Sequence, residues 1–121
     1  MFFTFYHIDA QVEKAESSIA FFDCAEATFP EGNDALLYFV NNHIQYPETA
    51  ILYGEKGVVV VECIVEPDGS FSSIRVLKSD SVNLEEEVVR IVKLMPKWIP
   101  PETNGKAIRS RAIIRVNFQL I

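Results

Sequence analysis

Basic residues, cysteines, histidines and glycines are all scarce in this chain of 121 residues. Eleven lysines and arginines stand against seventeen acids, and the resulting net charge of −6 argues against whole-chain binding to nucleic acid or anionic lipid. The two cysteines, Cys24 and Cys63, form no CxxC pair, and the two histidines, His7 and His43, lie far apart in the sequence. We therefore expect no zinc site from these residues.

Long hydrophobic runs are also missing. No apolar run approaches the roughly 20 residues that a membrane-spanning helix needs, so we do not expect the printed chain to cross a bilayer. Residues 1–11 have an apolar character but no basic start, which makes them a poor signal peptide. The residues alone leave two locations open: the cytoplasm, or an exported protein whose export segment lies outside the printed sequence.

The composition that remains is that of a globular domain. Hydrophobic residues make up 49% of the chain and charged residues 23%, and this length buries enough core to fold without disulfides or metal. The charge is unevenly spread: residues 1–50 hold eight acids and one base, whereas residues 105–121 hold four bases and no acid. A basic C-terminal segment thus follows an acidic body.

The first half of the chain predicts two helices. Residues 1–19 are interpreted as an N-terminal extension of uncertain structure, and residues 20–121 as the domain. Asn33 is a candidate N-cap for a helix whose apolar residues recur at helical spacing up to Ile44. Pro47 ends that helix and starts a short second one, Glu48 to Tyr53.

The second half predicts a hairpin, a helix and a final strand. An apolar strand from Gly57 to Glu66 is followed by a tight turn and a return strand from Phe71 to Lys78. Asn83 is the candidate N-cap of the next helix, which Pro96 ends. The segment Ile108 to Leu120 alternates apolar and polar residues and predicts a long half-buried strand with a basic outer face. The expected class is α+β, with helices packed on one face of a three-stranded antiparallel sheet.

No catalytic arrangement rises above chance. His43 is interpreted as a packed or capping histidine, Cys63 as a buried core thiol, and the acids Glu85, Glu86 and Glu87 as partners of a helix dipole. Phosphate-binding loops are absent. We therefore expect no enzyme activity, no cofactor and no metal, although a small enzyme that uses His43 stays as a remote alternative.

The basic face of the last strand has two interpretations. It is either a solvated edge that charge protects from aggregation, or an edge that receives a partner strand and uses arginines to choose an acidic or polar peptide.

Six short motifs in order resemble the C-terminal domain of TonB, in the form common in Bacteroidetes-type proteins. The resemblance covers residues 20–121. Glu31 and Ile99 depart from the family pattern, in which glycine and a basic residue are expected. The motifs are Phe29-Pro30-Glu31-Gly32, Tyr46-Pro47-Glu48-Thr49-Ala50, Gly57-Val58-Val59-Val60-Val61, Pro67-Asp68-Gly69-Ser70, Met95-Pro96-Lys97-Trp98-Ile99-Pro100, and Asn104-Gly105-Lys106, before a strand through Val116-Asn117-Phe118.

The resemblance implies a periplasmic binding module that couples energy to outer-membrane transporters. The transporter's TonB-box peptide would add as a strand along the last strand, Ile108 to Phe118, with backbone pairing for affinity and Arg109, Arg111 and Arg115 for selectivity. The peptide-binding residues implied in this way are Ile108, Arg109, Ser110, Arg111, Ala112, Ile113, Ile114, Arg115 and Val116.

A second function class stays open beside this one. The same edge could pair with a second copy, which would give a structural module that forms a strand-paired homodimer and has no transporter partner. The printed sequence shows no counterpart of TonB's membrane anchor or proline-rich spacer, so we expect an isolated module, a piece of a longer protein or a degenerate paralogue.

Overall fold

The computed structural model describes residues 27–119 in full and the backbone of residues 11–16. The rest of the predicted extension and Leu120 lie outside the described residues. Cys24 and His7 do so as well. The elements, in chain order, are β1 (Gln11–Glu16), α1 (Asn33–His43), α2 (Glu48–Leu52), β2 (Gly57–Val65), β3 (Phe71–Ser79), α3 (Val82–Leu94), β4 (Glu102–Thr103), β5 (Lys106–Ala107) and β6 (Ser110–Phe118).

The main sheet has the order β1-β6-β2-β3, and every neighbouring pair in it is antiparallel. The predicted hairpin forms β2 and β3, and the predicted last strand forms β6, which pairs with the far side of β2. The α+β class and the antiparallel sheet of these three strands are confirmed. β1 adds a fourth strand beside β6, from a segment whose structure the sequence left uncertain. β4 and β5 form a separate small hairpin.

The core lies between one face of the sheet and the helices. Alternate residues of β2 and β6 point into it, so that Val61 lies opposite Ile114 and Cys63 opposite Ala112 in the register. The apolar stripe of α3 and the buried positions of α1 complete this core, which is why the helical spacing of these residues was informative. Its fully buried members include Leu36, Val40, Leu84, Val88, Ile91, Val92, Val59, Val65, Val116 and Phe118.

The helix starts differ from the sequence prediction. α1 begins at Asn33 itself, its N-cap is Gly32, and within the described part of the chain no side chain caps it. Glu31 before it has a φ of 69°, a left-handed conformation that glycine adopts more easily, so the departure from the family's glycine carries local strain. α3 is capped by Ser81 rather than Asn83, because the Ser81 hydroxyl accepts the Leu84 amide at 3.3 Å.

An ion pair within α3, between Glu87 and the half-exposed Arg90, makes hydrogen bonds to the end of α1. Glu87 is 8% exposed and accepts both the Gln45 amide at 2.6 Å and the Arg90 guanidinium at 2.7 Å. Arg90 in turn donates to the His43 carbonyl at 2.8 Å, one of the free carbonyls at the end of α1. Glu87 therefore holds two helices together, a role that the helix-dipole interpretation of its acidic run missed.

Several motifs of the TonB-like pattern meet at one end of the sheet. Trp98 is 2% exposed and contacts Phe29 and Phe71, each with ring centroids 5.8 Å away. Gly69 of the β2–β3 turn accepts the Trp98 amide at 2.9 Å, and a Cβ built on Gly69 would lie 2.2 Å from the Trp98 carbonyl oxygen. Thr28 and Ile99 exchange two backbone hydrogen bonds beside this cluster. These motifs therefore serve packing rather than chemistry.

Candidate functional site

β6 contains seven of the nine residues implied as a peptide-binding edge, Ser110–Val116. It lies between β2 on one side and β1 on the other. With β2 it forms nine consecutive pairs, from Val65 opposite Ser110 to Gly57 opposite Phe118, without a register shift. Such a regular strand presents evenly placed backbone donors and acceptors to whatever strand lies along its outer edge.

The side chains of β6 divide between the two faces of the sheet. Ser110, Ala112, Ile114 and Val116 are buried against the helices. Arg111, Ile113 and Arg115 alternate with them on the opposite face and are partly or fully exposed. Only these three of the seven can therefore contribute side-chain selectivity on the open face, while all seven contribute backbone.

The two residues before β6, Ile108 and Arg109, interact with other parts of the chain. The Ile108 amide donates to the Pro101 carbonyl at 2.9 Å. Arg109 forms an ion pair with Glu66, at 3.1 Å between Nη2 and Oε2, and the hydrogen bond from Arg109 is the first cause that holds the pKa of Glu66 below its usual range. Arg109 thus ties β6 to the end of β2.

Arg111 also interacts across the sheet. Its guanidinium lies 2.8 Å from the Glu62 carboxylate of β2, and Arg75 of β3 lies 3.1 Å from the same carboxylate on the other side. The side chain of Glu62 is only 8% exposed. The row Arg75, Glu62 and Arg111 therefore neutralises a buried acid at the centre of the open face. The basic outer face predicted for the last strand is largely paired with acids of its own chain.

The outer edge of β6 carries β1. In the register, Gln11 lies opposite Asn117, Val12 opposite Val116, Glu13 opposite Arg115 and Glu16 opposite Ile113, with an irregularity between Glu13 and Glu16.

The pairing with β1 means that the outer side of β6 is not an open edge along its whole length. Four residues of β6 already pair with a strand on each side: Ile113, Arg115, Val116 and Asn117. Among the described residues, Ser110–Ala112 pair only with β2. Sequence reasoning missed β1 because its six residues, QVEKAE, show neither alternation nor a concentration of strand formers.

The other candidate chemical groups have structural roles. His43 is exposed at the end of α1, where its Nδ1 lies 2.7 Å from the Phe39 carbonyl and its ring stacks on Phe39 at a centroid distance of 4.1 Å. Cys63 is fully buried, and this burial raises the pKa of its thiol to about 12, with the charge of Glu62 adding to the effect. Among residues 11–16 and 27–119, no cluster of metal-ligating side chains occurs.

The comparison with family models decides the assignment. The model for the C-terminal region of the Gram-negative bacterial TonB protein matches residues 42–120, which is more than half of the chain. The chain belongs to the TonB C-terminal domain family. No curated protein and no solved structure matches it. TonB C-terminal domains generally take part in coupling energy to transport and interact with outer-membrane transporters.

The matched region of this TonB C-terminal domain contains β2, β3, α3 and β6, so the family assignment and the three-stranded core coincide. β1 lies outside the match. Domains of the family are typically periplasmic. In the part of the chain that the structure describes, no helix is long and apolar enough to cross a membrane.

Proposed function

We propose that this domain is a non-enzymatic periplasmic module that binds the TonB-box peptide of an outer-membrane transporter by strand addition. The partner strand would pair with the outer edge of β6, over residues 108–116. The observation that carries the proposal is the uninterrupted register of β6 with β2, because a strand held straight on one side is a good template on the other.

Backbone pairing supplies most of the affinity in this mode, and side chains next to the edge supply the choice of partner. Of the arginines on this segment, Arg109 pairs with Glu66 and Arg111 pairs with the buried Glu62. Arg115 is exposed and lies opposite the β1 strand in the register. We assign the side-chain selectivity for an acidic peptide to Arg109, Arg111 and Arg115 together, and we test it at Arg115 because the register places this residue directly opposite the strand on the outer edge.

The absence of enzyme activity is part of the proposal. It is supported by the roles of the two groups that could carry chemistry, since His43 packs against Phe39 and Cys63 is a buried thiol whose pKa is raised to about 12. Nucleophilic chemistry needs an accessible thiolate, which burial of Cys63 disfavours.

A second copy of the chain is the alternative occupant of the same edge. A strand-paired homodimer would use the same backbone groups of β6, so peptide and copy would exclude each other. The two functions therefore differ in oligomeric state and in their response to added peptide.

Calorimetric titration of the full chain with synthetic TonB-box peptides, with light scattering on the same samples, tests the proposal. We expect a monomer that binds acidic TonB-box peptides, and we expect Arg115→Glu to weaken this binding several-fold. The matched control is Lys78→Glu, the same charge change on the exposed outer part of β3. A dimer that takes up no peptide would replace the proposed function by the structural one.

A further inference from the structure

β1 occupies the part of the sheet edge that the proposed partner strand would need. It pairs with Ile113, Arg115, Val116 and Asn117 of β6, and the implied peptide-binding segment ends at Val116. Each backbone N–H and C=O on that edge serves one neighbouring strand at a time. A peptide that pairs along this part of β6 must therefore remove β1 first.

The charge of β1 matches what an external partner would offer. Three of its six residues are charged: Glu13, Lys14 and Glu16. Glu13 lies directly opposite Arg115 in the register. Opposite charges at directly opposed positions stabilise an antiparallel pair. The acid that we expect in a bound peptide thus has a counterpart within the chain itself.

β1 is also built to be replaceable. It forms four register pairs with β6, interrupted by an irregularity, whereas β2 forms nine without one. Gln, Glu, Lys and Ala, which supply five of its six residues, are not favoured in strands. Its advantage is attachment to the same chain, which gives a tethered strand an effective concentration on the order of mM.

We propose that β1 is an intramolecular competitor of the partner peptide, so that peptide binding proceeds by exchange of one strand for another on β6. This inference rests on the proposed function. The apparent affinity for a peptide equals the intrinsic affinity reduced by the fraction of molecules whose edge is free. If β1 leaves the edge of β6 free in about 10% of molecules or fewer, the chain binds the peptide at least about tenfold more weakly than a chain in which β1 does not pair.

The full chain with Val12→Pro and Glu13→Pro tests the competition. Adjacent residues of a strand direct their amides to opposite sides, so one of the two prolines removes a donor to β6 whichever residue faces it. The control carries Ser17→Pro and Ser18→Pro, which lie just after β1. The probes are a labelled peptide with the sequence of residues 9–18 and a labelled TonB-box peptide.

We expect the β1 variant to bind both peptides about tenfold or more tightly than the control and the unchanged chain. Equal affinity in all three proteins would overturn the inference but leave the proposed function standing if the TonB-box peptide binds. Tight binding of the residue 9–18 peptide alone would support the competition and contradict the proposed function. These two failures are thus distinguishable.

A measurement on the unchanged chain covers the case in which the variant does not fold. Hydrogen exchange is followed with and without saturating TonB-box peptide. Displacement predicts that amides of residues 11–16 exchange faster when peptide is bound, while those of β2 keep their protection. Bound peptide with unchanged exchange at residues 11–16 would overturn the inference.

Register is tested by charge reversal. Arg115→Glu in the proline variant should weaken binding of the residue 9–18 peptide about two- to fivefold, and a peptide with Glu13→Arg should recover the loss. Lys78→Glu in the same background is the control and should change nothing. Equal effects of the two reversals would overturn the placement of Glu13 opposite Arg115.

Discussion

The two strands that flank β2 in the main sheet, β3 and β6, are built differently. β3 pairs with β2 through a register that shifts twice, and its outer part exposes Ser72, Arg75 and Lys78. β6 pairs with β2 without a shift and buries every second residue. Irregular pairing and exposed charge are the features by which proteins keep an edge strand from pairing with other chains.

This difference between β3 and β6 indicates which side of the sheet can bind a partner strand. The β3 edge is protected by its own shape and charge, whereas the β6 edge is a regular template that is covered by an exchangeable strand. A sheet with one protected edge and one templating edge directs a partner strand to a single side. The predictions below test this asymmetry, from the largest expected effect to the smallest.

Truncation of a core side chain should show the largest difference in stability loss between β6 and β3. Ile114 of β6 is 0% exposed, and Ile114→Ala should lower the free energy of unfolding by about 2–5 kcal/mol because it leaves a cavity. Ile74 of β3 is only partly buried, so we expect Ile74→Ala to lower it by about 1 kcal/mol. Urea denaturation measures both. Equal losses would mean that β3 is as firmly embedded as β6.

The acid on β2, between β3 and β6, should have the next largest effect on stability. Glu62 pairs with Arg75 and Arg111, so Glu62→Gln removes the charge that both arginines share. The arginine side chains are 65% and 35% exposed, and we therefore expect a loss of about 1–2 kcal/mol in unfolding free energy rather than the full cost of breaking a buried pair. Arg75→Gln is the control and should cost less, since Arg111 still compensates Glu62. A neutral Glu62→Gln would contradict the pairing across the sheet.

Much of this asymmetry could be predicted from sequence, because it follows from local patterns. The alternation from Ile108 to Leu120 predicted β6, whose bounds are Ser110–Phe118, and the strong turn predicted the β2–β3 hairpin. The basic composition of the last strand was visible as well. These signals depend only on side-chain periodicity and turn residues, which the sequence displays directly.

The remaining features depend on contacts between distant residues. β1 has no pattern of its own and becomes a strand through the backbone of β6. The pairing of Arg111 with Glu62 and of Arg109 with Glu66 requires the strand order, which no local signal contains. Sequence reasoning therefore located β6, but it found neither the strand beside it nor the acids that pair with Arg109 and Arg111.

A buried hydroxyl on β6 should have a smaller effect of opposite sign. Ser110 is 1% exposed, and its hydroxyl has no hydrogen-bond partner among the residues that the structure describes. Ser110→Ala should therefore raise the free energy of unfolding by about 1 kcal/mol, because an unpaired buried polar group is removed. Ser72→Ala on β3 is the control, where the hydroxyl is exposed and we expect a change within about 0.5 kcal/mol. A destabilising Ser110→Ala in thermal unfolding would show that the hydroxyl has a partner.

The smallest effect concerns the end of β6 next to the hairpin. Because Arg109 holds the pKa of Glu66 below its usual range, Arg109→Gln should raise that pKa, as followed by NMR titration of side-chain carboxyl carbons. The pKa of Asp68 should not move, since it is lowered mainly by Ser70.

The sign of the linked stability follows from the depressed pKa. The contribution of Glu66 is present above its unfolded-state pKa and is lost as the pH falls through its folded-state value. In Arg109→Gln the folded-state pKa of Glu66 should move closer to its unfolded-state pKa. The free energy of unfolding should then change less as the pH falls through this range. An unchanged pKa of Glu66 would contradict the engagement of Arg109 on the β2 side of β6.

The measurement that tests the central claim most directly is the location of a bound partner strand. A TonB-box peptide that carries a spin label is added to saturation, and the broadening of the amide signals of the full chain is recorded by NMR. The account predicts that broadening centres on Ser110–Phe118 and leaves Phe71–Ser79 unaffected. Broadening centred on β3, with β6 unaffected, would contradict it.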